Sequence, residues 1–164
     1  AGLFPKLSFE AGTIADLDRV MAVNFRASVL MAKAAAPVMQ RRGGGAMVFM
    51  TSGGGQLSAV ADPMQADFSF YGASKAALDR WALGVAPELS RSGIAVNTVC
   101  PGAFVLTPGV MALGLRETGE RPSIPPERVA DALTWLAGRP AGGPLGQRLV
   151  ATEFGQTWGP RRAA

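Results

Sequence analysis

Tyr71 and Lys75 are the two residues whose types and spacing suggest chemistry most directly. They lie four positions apart at the start of a predicted helix, so both side chains project from one face of that helix. A lysine ammonium close to a tyrosine favours the ionised phenol and lowers its pKa from about 10 toward the working range. The pair therefore predicts a tyrosine that acts as general acid and base in a chain without histidine. Taken alone, the spacing fits an ordinary pair on a helix surface equally well.

Ser52 and Asn24 are two further candidates, each with a structural alternative. Ser52 follows the apolar run at 46–50 with Thr51 between them, and open parallel sheets bind their ligands at the carboxyl ends of strands. On its own, a serine in Thr-Ser-Gly-Gly-Gly is more often a turn residue. Asn24 shares a helical stripe with Met21 and Ala27, where a polar side chain needs hydrogen-bond partners. It could equally be exposed or make a structural hydrogen bond.

Alternating helices and strands must position these side chains. The pattern predicts, in order, a helix at 14–42 kinked by Pro37, a strand at 46–50, a helix at 70–91 capped by Ser69, a strand at 94–100, a helix at 125–137 and a strand at 147–152. This alternation predicts an α/β fold with a parallel sheet and right-handed crossovers. We expect a single domain spanning residues 1–164.

The face of the 70–91 helix that carries the tyrosine and the lysine continues as an apolar stripe. Its members are Leu78, Ala82, Val85 and Leu89. Because such a stripe packs on the sheet, the pair should sit at the rim of the core.

Length and composition exclude several classes of protein. The 164 residues suit one domain, and 48% hydrophobic residues with 21 Gly argue against disorder. The apolar runs are too short to cross a membrane and no secretory leader opens the sequence, so we expect a cytoplasmic protein without a membrane partner. One cysteine and no histidine exclude an internal disulfide, zinc sites and His-dependent triads. The net charge of +4 is scattered, which does not favour nucleic acid as a partner.

The four polar candidates occur together with flanking segments that resemble one family. These segments are Ala1-Gly2, Val23-Asn24, Met50-Thr51-Ser52, Tyr71-Gly72-Ala73-Ser74-Lys75 and the run from Ile94 to Gly102. They resemble five segments of the short-chain dehydrogenases/reductases, in the same order and at nearly the same spacing. Those segments are Asn-Asn-Ala-Gly, the helix asparagine, the strand that ends in serine, Tyr-x-x-x-Lys, and the next strand with its Pro-Gly. The chain resembles the C-terminal two-thirds of such a protein, up to about Val150. The resemblance implies a Rossmann-like, doubly wound parallel sheet, of which about three strands with flanking helices would be present.

The resemblance also implies an activity, which is hydride transfer between NAD or NADP and a small carbonyl or alcohol substrate. Tyr71 would be the acid/base, and Lys75 would lower its pKa and bind the nicotinamide ribose. Ser52 would hold the substrate oxygen, and Asn24 would support the lysine through a water molecule.

Cofactor contacts and a substrate lid are further implications of the resemblance. Pro101 and Gly102 would line the nicotinamide, and Val105 and Thr107 resemble residues that hold its carboxamide. The segment 107–123 stands where the family carries its lid. Three apolar residues there could contact an apolar substrate or simply pack a short helix: Met111, Leu113 and Leu115.

Three departures from the family pattern affect these assignments. Ser52 and Tyr71 enclose eighteen residues instead of about a dozen, and Ser58 keeps the shorter spacing. We prefer Ser52, because it follows a strand, with an insertion across 53–69. The Pro-Gly to Val-x-Thr spacing is one residue longer than usual. The family's Asp-Gly-Gly is replaced by the sequence from Ala151 to Gly155.

The chain contains no glycine-rich dinucleotide turn of the form Gly-x-x-x-Gly-x-Gly or Gly-x-Gly-x-x-Gly. In the family this turn belongs to the first β-α unit, so we expect that an N-terminal portion is absent from the sequence. The strand at 46–50 would then lack a neighbouring strand on one side. The pyrophosphate of the cofactor would lack its binding site. We therefore expect the isolated chain to be unstable and inactive.

Two alternatives to an oxidoreductase stay open. A truncated, non-catalytic interaction module of the same fold would dock its open sheet edge on a partner, although it would have no chemical need for the Tyr and Lys together. A nucleic acid binder rests on charge alone. For the enzyme, the resemblance implies a homodimer or homotetramer that uses the helices at 14–42 and 70–91.

Overall fold

The computed structural model describes residues 2–57, 66–112, 114, 123–139 and 143–161. The elements are α1 (Ile14–Met21), a π-helical segment (Ala22–Arg26), α2 (Ala27–Arg41), β1 (Gly45–Met50), a 3₁₀ turn (Gly53–Gly55), α3 (Ser69–Ser90), β2 (Ile94–Cys100), β3 (Phe104–Val105), α4 (Pro108–Ala112), β4 (Ser123–Ile124), α5 (Pro126–Ala137), β5 (Arg148–Val150) and a second 3₁₀ turn (Ala151–Glu153). Ser58, Leu113 and Leu115 lie outside the described residues.

The main sheet has three parallel strands in the order β1-β2-β5. All seven residues of β2 are buried, as expected for the central strand of a sheet covered on both faces. β1 pairs with β2 in register from Gly45 opposite Ile94 to Met50 opposite Val99. The predicted parallel α/β architecture is therefore confirmed, and the carboxyl ends of the three strands lie along one edge.

Alternate residues of β2 face opposite layers of helices, because side chains alternate along a strand. Ile94 and Val96 pack with residues of α2 and α3, whereas Val99 packs with residues of α5. The first cluster contains the buried residues Ala32, Met47, Ala82, Ala86, Ile94 and Val96. The second contains Val99, Val129, Ala132, Leu136, Leu149, Ala151 and Phe154. Helices on both faces make the sheet doubly wound, as predicted.

The predicted helix at 14–42 is confirmed, with one irregularity. It begins with a capping box in which Thr13 and Asp16 bond each other's backbone N–H groups. Its hydrogen-bond pattern widens to π-helical between Ala22 and Arg26 and then returns to α. Pro37 lies inside α2, which continues to Arg41.

Several predicted boundaries are wrong. Ser69 is already helical, so the N-cap of α3 is Phe68, which makes no side-chain capping bond. The predicted strand at 147–152 is reduced to β5, because the chain turns at Ala151 and Arg128 donates to the carbonyls of Thr152 and Phe154 at 3.4 and 3.3 Å. The short parallel pair β3-β4 and helix α4 were not predicted, since two to five residues are too few to show a period.

Candidate active site

Tyr71 and Lys75 occupy the first two turns of α3 on one face, as their spacing predicts. Tyr71 is half-buried and is the single tyrosine of the chain. Lys75 is buried, its Nζ lies 5.7 Å from the centre of the Tyr71 ring, and it donates to the Met50 carbonyl at 3.0 Å. The lysine therefore links α3 to the carboxyl end of β1, directly beside the tyrosine.

Ser52 stands at the start of the 3₁₀ turn that follows β1. Its backbone is extended, and its Oγ accepts a hydrogen bond from the Gly54 N–H at 3.2 Å. Its side chain also lies near enough to the Tyr71 phenol to lower the pKa of that group. The structure thus brings the predicted serine to the predicted tyrosine, whereas the alternative serine, Ser58, lies outside the described residues.

Two glycines allow the Ser52 turn to pack closely on α3. A Cβ atom on Gly72 would lie 2.7 Å from the Gly54 carbonyl oxygen, and one on Gly55 would lie 2.8 Å from the Ala76 nitrogen. Both distances are too short for a side-chain carbon against backbone. The absence of side chains at these positions therefore sets the separation between the turn that carries Ser52 and the helix that carries Tyr71.

The pKa of Tyr71 moves in the direction opposite to the one predicted from the sequence. Burial raises it above 10.0, the Ser52 side chain partly opposes the rise, and Cys100 adds to it. The expected fall of this pKa toward the working range is wrong for this structure, because desolvation of the phenolate prevails and the lysine amine is bonded to the Met50 carbonyl. Tyr71 is therefore a neutral phenol at neutral pH.

The pKa of Lys75 is lowered from 10.5 for the same reason. Burial penalises the ammonium, and the carboxylate of Asp79 partly compensates by attracting it. Asp79 follows Lys75 by one helical turn, so the two charges share a face of α3.

Asn24 lies in the π-helical segment and is buried, with 3% of its surface exposed. Its side-chain oxygen accepts from the Leu3 N–H at 2.7 Å, and its amide group donates to the Leu3 carbonyl at 2.8 Å and to the Ser74 hydroxyl at 3.0 Å. Ser74 in turn donates to the Tyr71 carbonyl at 2.7 Å. Asn24 therefore ties the first residues of the chain to α3, and its link to Lys75 through water stays a prediction.

The four remaining predicted cofactor residues all follow β2 in the chain. Gly102 has a φ of +80°, and a Cβ there would meet the side chains of Val150 and Thr152. The Pro101 carbonyl accepts from the Thr152 N–H at 3.2 Å, so the Pro-Gly turn joins the ends of β2 and β5. Val105 lies in the β3-β4 pair, opposite Ile124.

Thr107 stands before α4, and its Oγ1 accepts from the Val110 N–H at 3.4 Å. Of the lid predicted at 107–123, the structure describes residues 107–112, 114 and 123. Met111 in this part is 54% exposed.

Asp79, Thr98 and Arg148 form a polar network that the sequence analysis missed. Asp79 accepts from the Thr98 hydroxyl at 2.6 Å and from the Arg148 Nε at 3.1 Å. A terminal nitrogen of Arg148 donates to the Ser52 carbonyl at 3.1 Å. One signal was available: a carboxylate four residues after Lys75, on the face that buries Leu78 and Ala82, requires a buried partner.

Phe4 is a second residue that the sequence analysis missed. Its ring stacks on Phe68 with centroids 4.4 Å apart and meets the Tyr71 ring at 4.3 Å. A hydrogen bond from the Leu7 N–H to the Asp67 carbonyl at 2.6 Å holds the two segments together. The phenol is therefore flanked by aromatic carbon, which contributes to its burial.

Two further properties concern the described residues alone. No group of three or more Asp, Glu, Cys and His side chains in this part of the chain could hold a metal ion. None of the helices described is long and apolar enough to cross a membrane.

Sequence comparisons find the same family along most of the chain. The family model for short chain dehydrogenase matches residues 1–117. An uncharacterized oxidoreductase of Thermotoga maritima is 35% identical over 112 residues, which cover 68% of this chain and 42% of the relative. A D-beta-hydroxybutyrate dehydrogenase of Rhizobium meliloti is 37% identical over 91 residues, or 56% of this chain and 33% of the relative.

Solved structures share the fold. A short-chain dehydrogenase/reductase family protein superposes with a TM-score of 0.76 at 32% identity, over 92% of this chain and 62% of that protein. The angucycline C-6 ketoreductase LanV with bound NADP gives a TM-score of 0.72 at 31% identity, over 92% of this chain and 58% of LanV. The chain thus spans less than half the length of these curated relatives and about three-fifths of these structures. On the family match and the shared Rossmann-type fold, the chain belongs to the short-chain dehydrogenase family.

Proposed function

We propose that this chain carries the proton-transfer site of an NAD(P)-dependent oxidoreductase that interconverts a carbonyl compound and its alcohol. The observation that carries the proposal is that the Ser52 side chain lies near enough to the Tyr71 phenol to act on its pKa, with the Lys75 amine 5.7 Å from the centre of the phenol ring. Two hydroxyl groups that meet at the carboxyl edge of a parallel sheet can share one substrate oxygen. An ordinary helix-surface pair would not require the buried lysine or the serine contact.

Each of the three side chains has a role that its contacts support. Ser52 accepts from the Gly54 N–H, and its O–H, which acts on the Tyr71 phenol, can donate instead to a carbonyl oxygen placed between the two hydroxyl groups. Tyr71 holds its proton at neutral pH because burial raises its pKa, so its hydroxyl can deliver a proton to that oxygen. This protonation state favours reduction of the carbonyl. When bound, the nicotinamide supplies or accepts the hydride.

The residues present fit the ribose end of such a cofactor. An ammonium has three N–H donors, and among the described residues Lys75 uses one of them, on the Met50 carbonyl. Its remaining donors suit the hydroxyl groups of a ribose. The Thr51 hydroxyl beside Ser52 is buried and has no hydrogen-bond partner within the described part of the chain, so it can also accept or donate there. We assign Pro101, Gly102, Val105 and Thr107 to the nicotinamide on the family resemblance.

The proposal is tested by hydride transfer. The protein is isolated from its source, its length is read from the intact mass, and oxidation of NADH and NADPH is followed at 340 nm with a panel of ketones. We expect turnover that falls by at least about 100-fold in Tyr71→Phe and by at least about tenfold in Ser52→Ala. Ser69→Ala, an exposed hydroxyl on the same helix, is the matched control and should keep full activity. Equal rates in Tyr71→Phe and wild type would refute the assigned role.

We expect the 164-residue chain by itself to be inactive in the same assay. It contains no glycine-rich pyrophosphate turn. In addition, β1 pairs on one side only within the described sheet, which leaves backbone donors and acceptors at an open edge. Turnover of any ketone by the pure 164-residue polypeptide would contradict this expectation.

We also propose that the protein assembles as a homodimer or homotetramer through its first helices. Leu30 and Met31 on α2 are 55% and 70% exposed, and Val38 on the same helix is 41% exposed. Buried against a second copy, these side chains would lose their contact with water. Light scattering after gel filtration should give a multiple of the intact mass, and Leu30→Glu should shift it toward the monomer. A non-catalytic module would instead bind another protein and lack the Tyr71-dependent turnover.

A further inference from the structure

Arg148 connects the two segments that carry the candidate active site. Its guanidinium is planar and holds its N–H donors in a fixed fork. One donor, Nε, lies 3.1 Å from the Asp79 carboxylate on α3, and a terminal nitrogen lies 3.1 Å from the Ser52 carbonyl. A single rigid group therefore bridges the helix of Tyr71 and Lys75 to the backbone that presents the Ser52 hydroxyl.

The network around Asp79 is buried and has specific partners. The side chains of Arg148 and Asp79 are only 20% and 12% exposed. The second carboxylate oxygen of Asp79 accepts from the Thr98 hydroxyl at 2.6 Å, on the face of β2 that packs against α3. Three segments of backbone, those of α3, β2 and the Ser52 turn, are thus fixed to one another through a single ion pair.

The charges in this cluster also act on the lysine beside the tyrosine. Lys75 and Arg148 are two cations and Asp79 is one carboxylate, so the cluster carries one net positive charge while Tyr71 is neutral. Loss of the Arg148 charge would leave the Asp79 carboxylate balanced by Lys75 alone. The carboxylate would then compete with the Met50 carbonyl for the lysine amine. Arg148 therefore allows Lys75 to remain directed at the carboxyl end of β1.

We propose that Arg148, paired with Asp79, is a positioning residue of the candidate active site, which holds the Ser52 backbone against α3 and keeps Lys75 beside Tyr71. The inference rests on the oxidoreductase function proposed above. Arg148 touches neither the phenol nor a reacting atom, and it acts through Ser52 and through Asp79.

The test compares Arg148→Gln, Arg148→Lys and Asp79→Asn in the same intact protein that is used for the ketone assay. Arg80→Gln is the matched control, because Arg80 is exposed and lies next to Asp79 on α3. We expect Arg148→Gln to lower kcat by about 10- to 100-fold with a much smaller change in KM for the ketone, since the serine and tyrosine are misplaced by a fraction of an ångström to about one ångström. Arg148→Lys should fold like wild type and still lose activity, because an ammonium cannot reproduce the fork.

Rescue by a small molecule separates positioning from folding. In Arg148→Ala, guanidinium chloride at tens of millimolar should raise kcat several-fold, whereas the same salt should leave wild type and Arg80→Ala unchanged. Melting temperatures are measured for every variant. If Arg148→Lys has wild-type kcat, or Arg148→Gln loses only thermal stability, the pair is structural and the proposal is overturned.

A second readout does not depend on turnover. Phenolate absorbance near 295 nm is titrated in each variant and in the same variant with Tyr71→Phe, so that the difference reports Tyr71 alone. Ser52 and Cys100 act on the phenol and Lys75 lies beside its ring, whereas Asp79 acts on Lys75 and pairs with Arg148. Arg148→Gln should raise the pKa of Tyr71 by at least about half a unit, through the freed carboxylate and the weakened effect of Ser52, and Arg80→Gln should not.

The two readouts distinguish the two proposals. A wild-type protein that reduces no ketone refutes the proposed function, and the titration then still decides whether Arg148 positions the serine and the lysine. If the Tyr71 titration curves of wild type and Arg148→Gln coincide, the positioning role is refuted whatever the activity is.

Discussion

Gly72→Ala tests how closely the Ser52 turn must approach α3. A methyl group at this position would lie 2.7 Å from the Gly54 carbonyl oxygen, a backbone atom that cannot rotate away. Relief of that contact requires a shift of about half an ångström or more, and overpacking of this kind costs about 1–3 kcal/mol. The substitution also gains about 1 kcal/mol of helix propensity, because Gly72 lies in the helix. The steric cost should prevail, with a net loss of up to about 2 kcal/mol.

The measurements for Gly72→Ala are a melting temperature and a kcat. In a protein of this size or somewhat larger, the net loss corresponds to a fall in Tm of up to about 8 °C. Because the displaced turn carries Ser52, kcat should fall by about tenfold or more while the ketone still binds.

Gly53→Ala is the matched control for this prediction. Gly53 belongs to the same 3₁₀ turn, and a Cβ on it would meet nothing within 4 Å. We expect its Tm within about 2 °C of wild type and an unchanged kcat. If Gly72→Ala matches Gly53→Ala in both quantities, the close approach does not position the serine and the reasoning is wrong.

Three further predictions follow from the same residues. Burial raises the pKa of Tyr71 above 10.0, so the phenol keeps its proton at lower pH. The kcat for ketone reduction should therefore stay flat from about pH 6 to about pH 9 and fall only above about pH 10. A fall in kcat centred near neutral pH would contradict this prediction. Burial lowers the pKa of Lys75 below 10.5. Between this lowered pKa and pH 10.5 the unfolded chain binds more protons than the native one, so the free energy of unfolding rises with pH toward 10.5. In the Tyr71→Phe background the urea midpoint should show this rise, and an added Lys75→Met should abolish it. Asn24→Leu removes the side chain that bonds the Leu3 N–H, the Leu3 carbonyl and the Ser74 hydroxyl. The free energy of unfolding in urea should fall by about 2–4 kcal/mol, and residues 2–7 should become accessible to protease. Val23→Ala, a change at an exposed position of the same segment, should have neither effect.

The helices and strands could be predicted from sequence wherever a segment was long enough to show a hydrophobic period or a biased composition. The helix at 14–42 and the strand at 94–100 have many residues in phase, and both match the structure. Boundaries set by single residues were less reliable. Ser69 looks like an N-cap in the sequence, but the helix begins one residue earlier because Phe68 already accepts from the Gly72 N–H at 2.9 Å.

The sequence predicted which residues form the candidate site more fully than it predicted their pKa shifts. Tyr71, Lys75 and Ser52 do meet, since helix spacing and the carboxyl edge of a parallel sheet are local rules. The direction of the Tyr71 pKa was not accessible from spacing, because it depends on burial. That burial comes partly from the Phe4 ring, 67 residues away in the sequence. The Arg148 bond to the Ser52 carbonyl spans 96 residues, which no local pattern reports.

Burial and charge act against each other at Tyr71, and this opposition sets how the site can work. Burial favours the neutral phenol. Lys75, whose amine lies 5.7 Å from the ring centre, and Arg148 together exceed the Asp79 carboxylate by one positive charge, and a nearby positive charge favours a phenolate. A phenolate would therefore make the cluster electrically neutral, whereas the neutral phenol leaves it with one positive charge. Loss of a proton from Tyr71 to a substrate oxygen is thus stabilised by the same cations that hold the backbone in place. Removal of Arg148 would withdraw this stabilisation without altering the phenol itself, which is why the kcat of Arg148→Gln and its Tyr71 titration should change together.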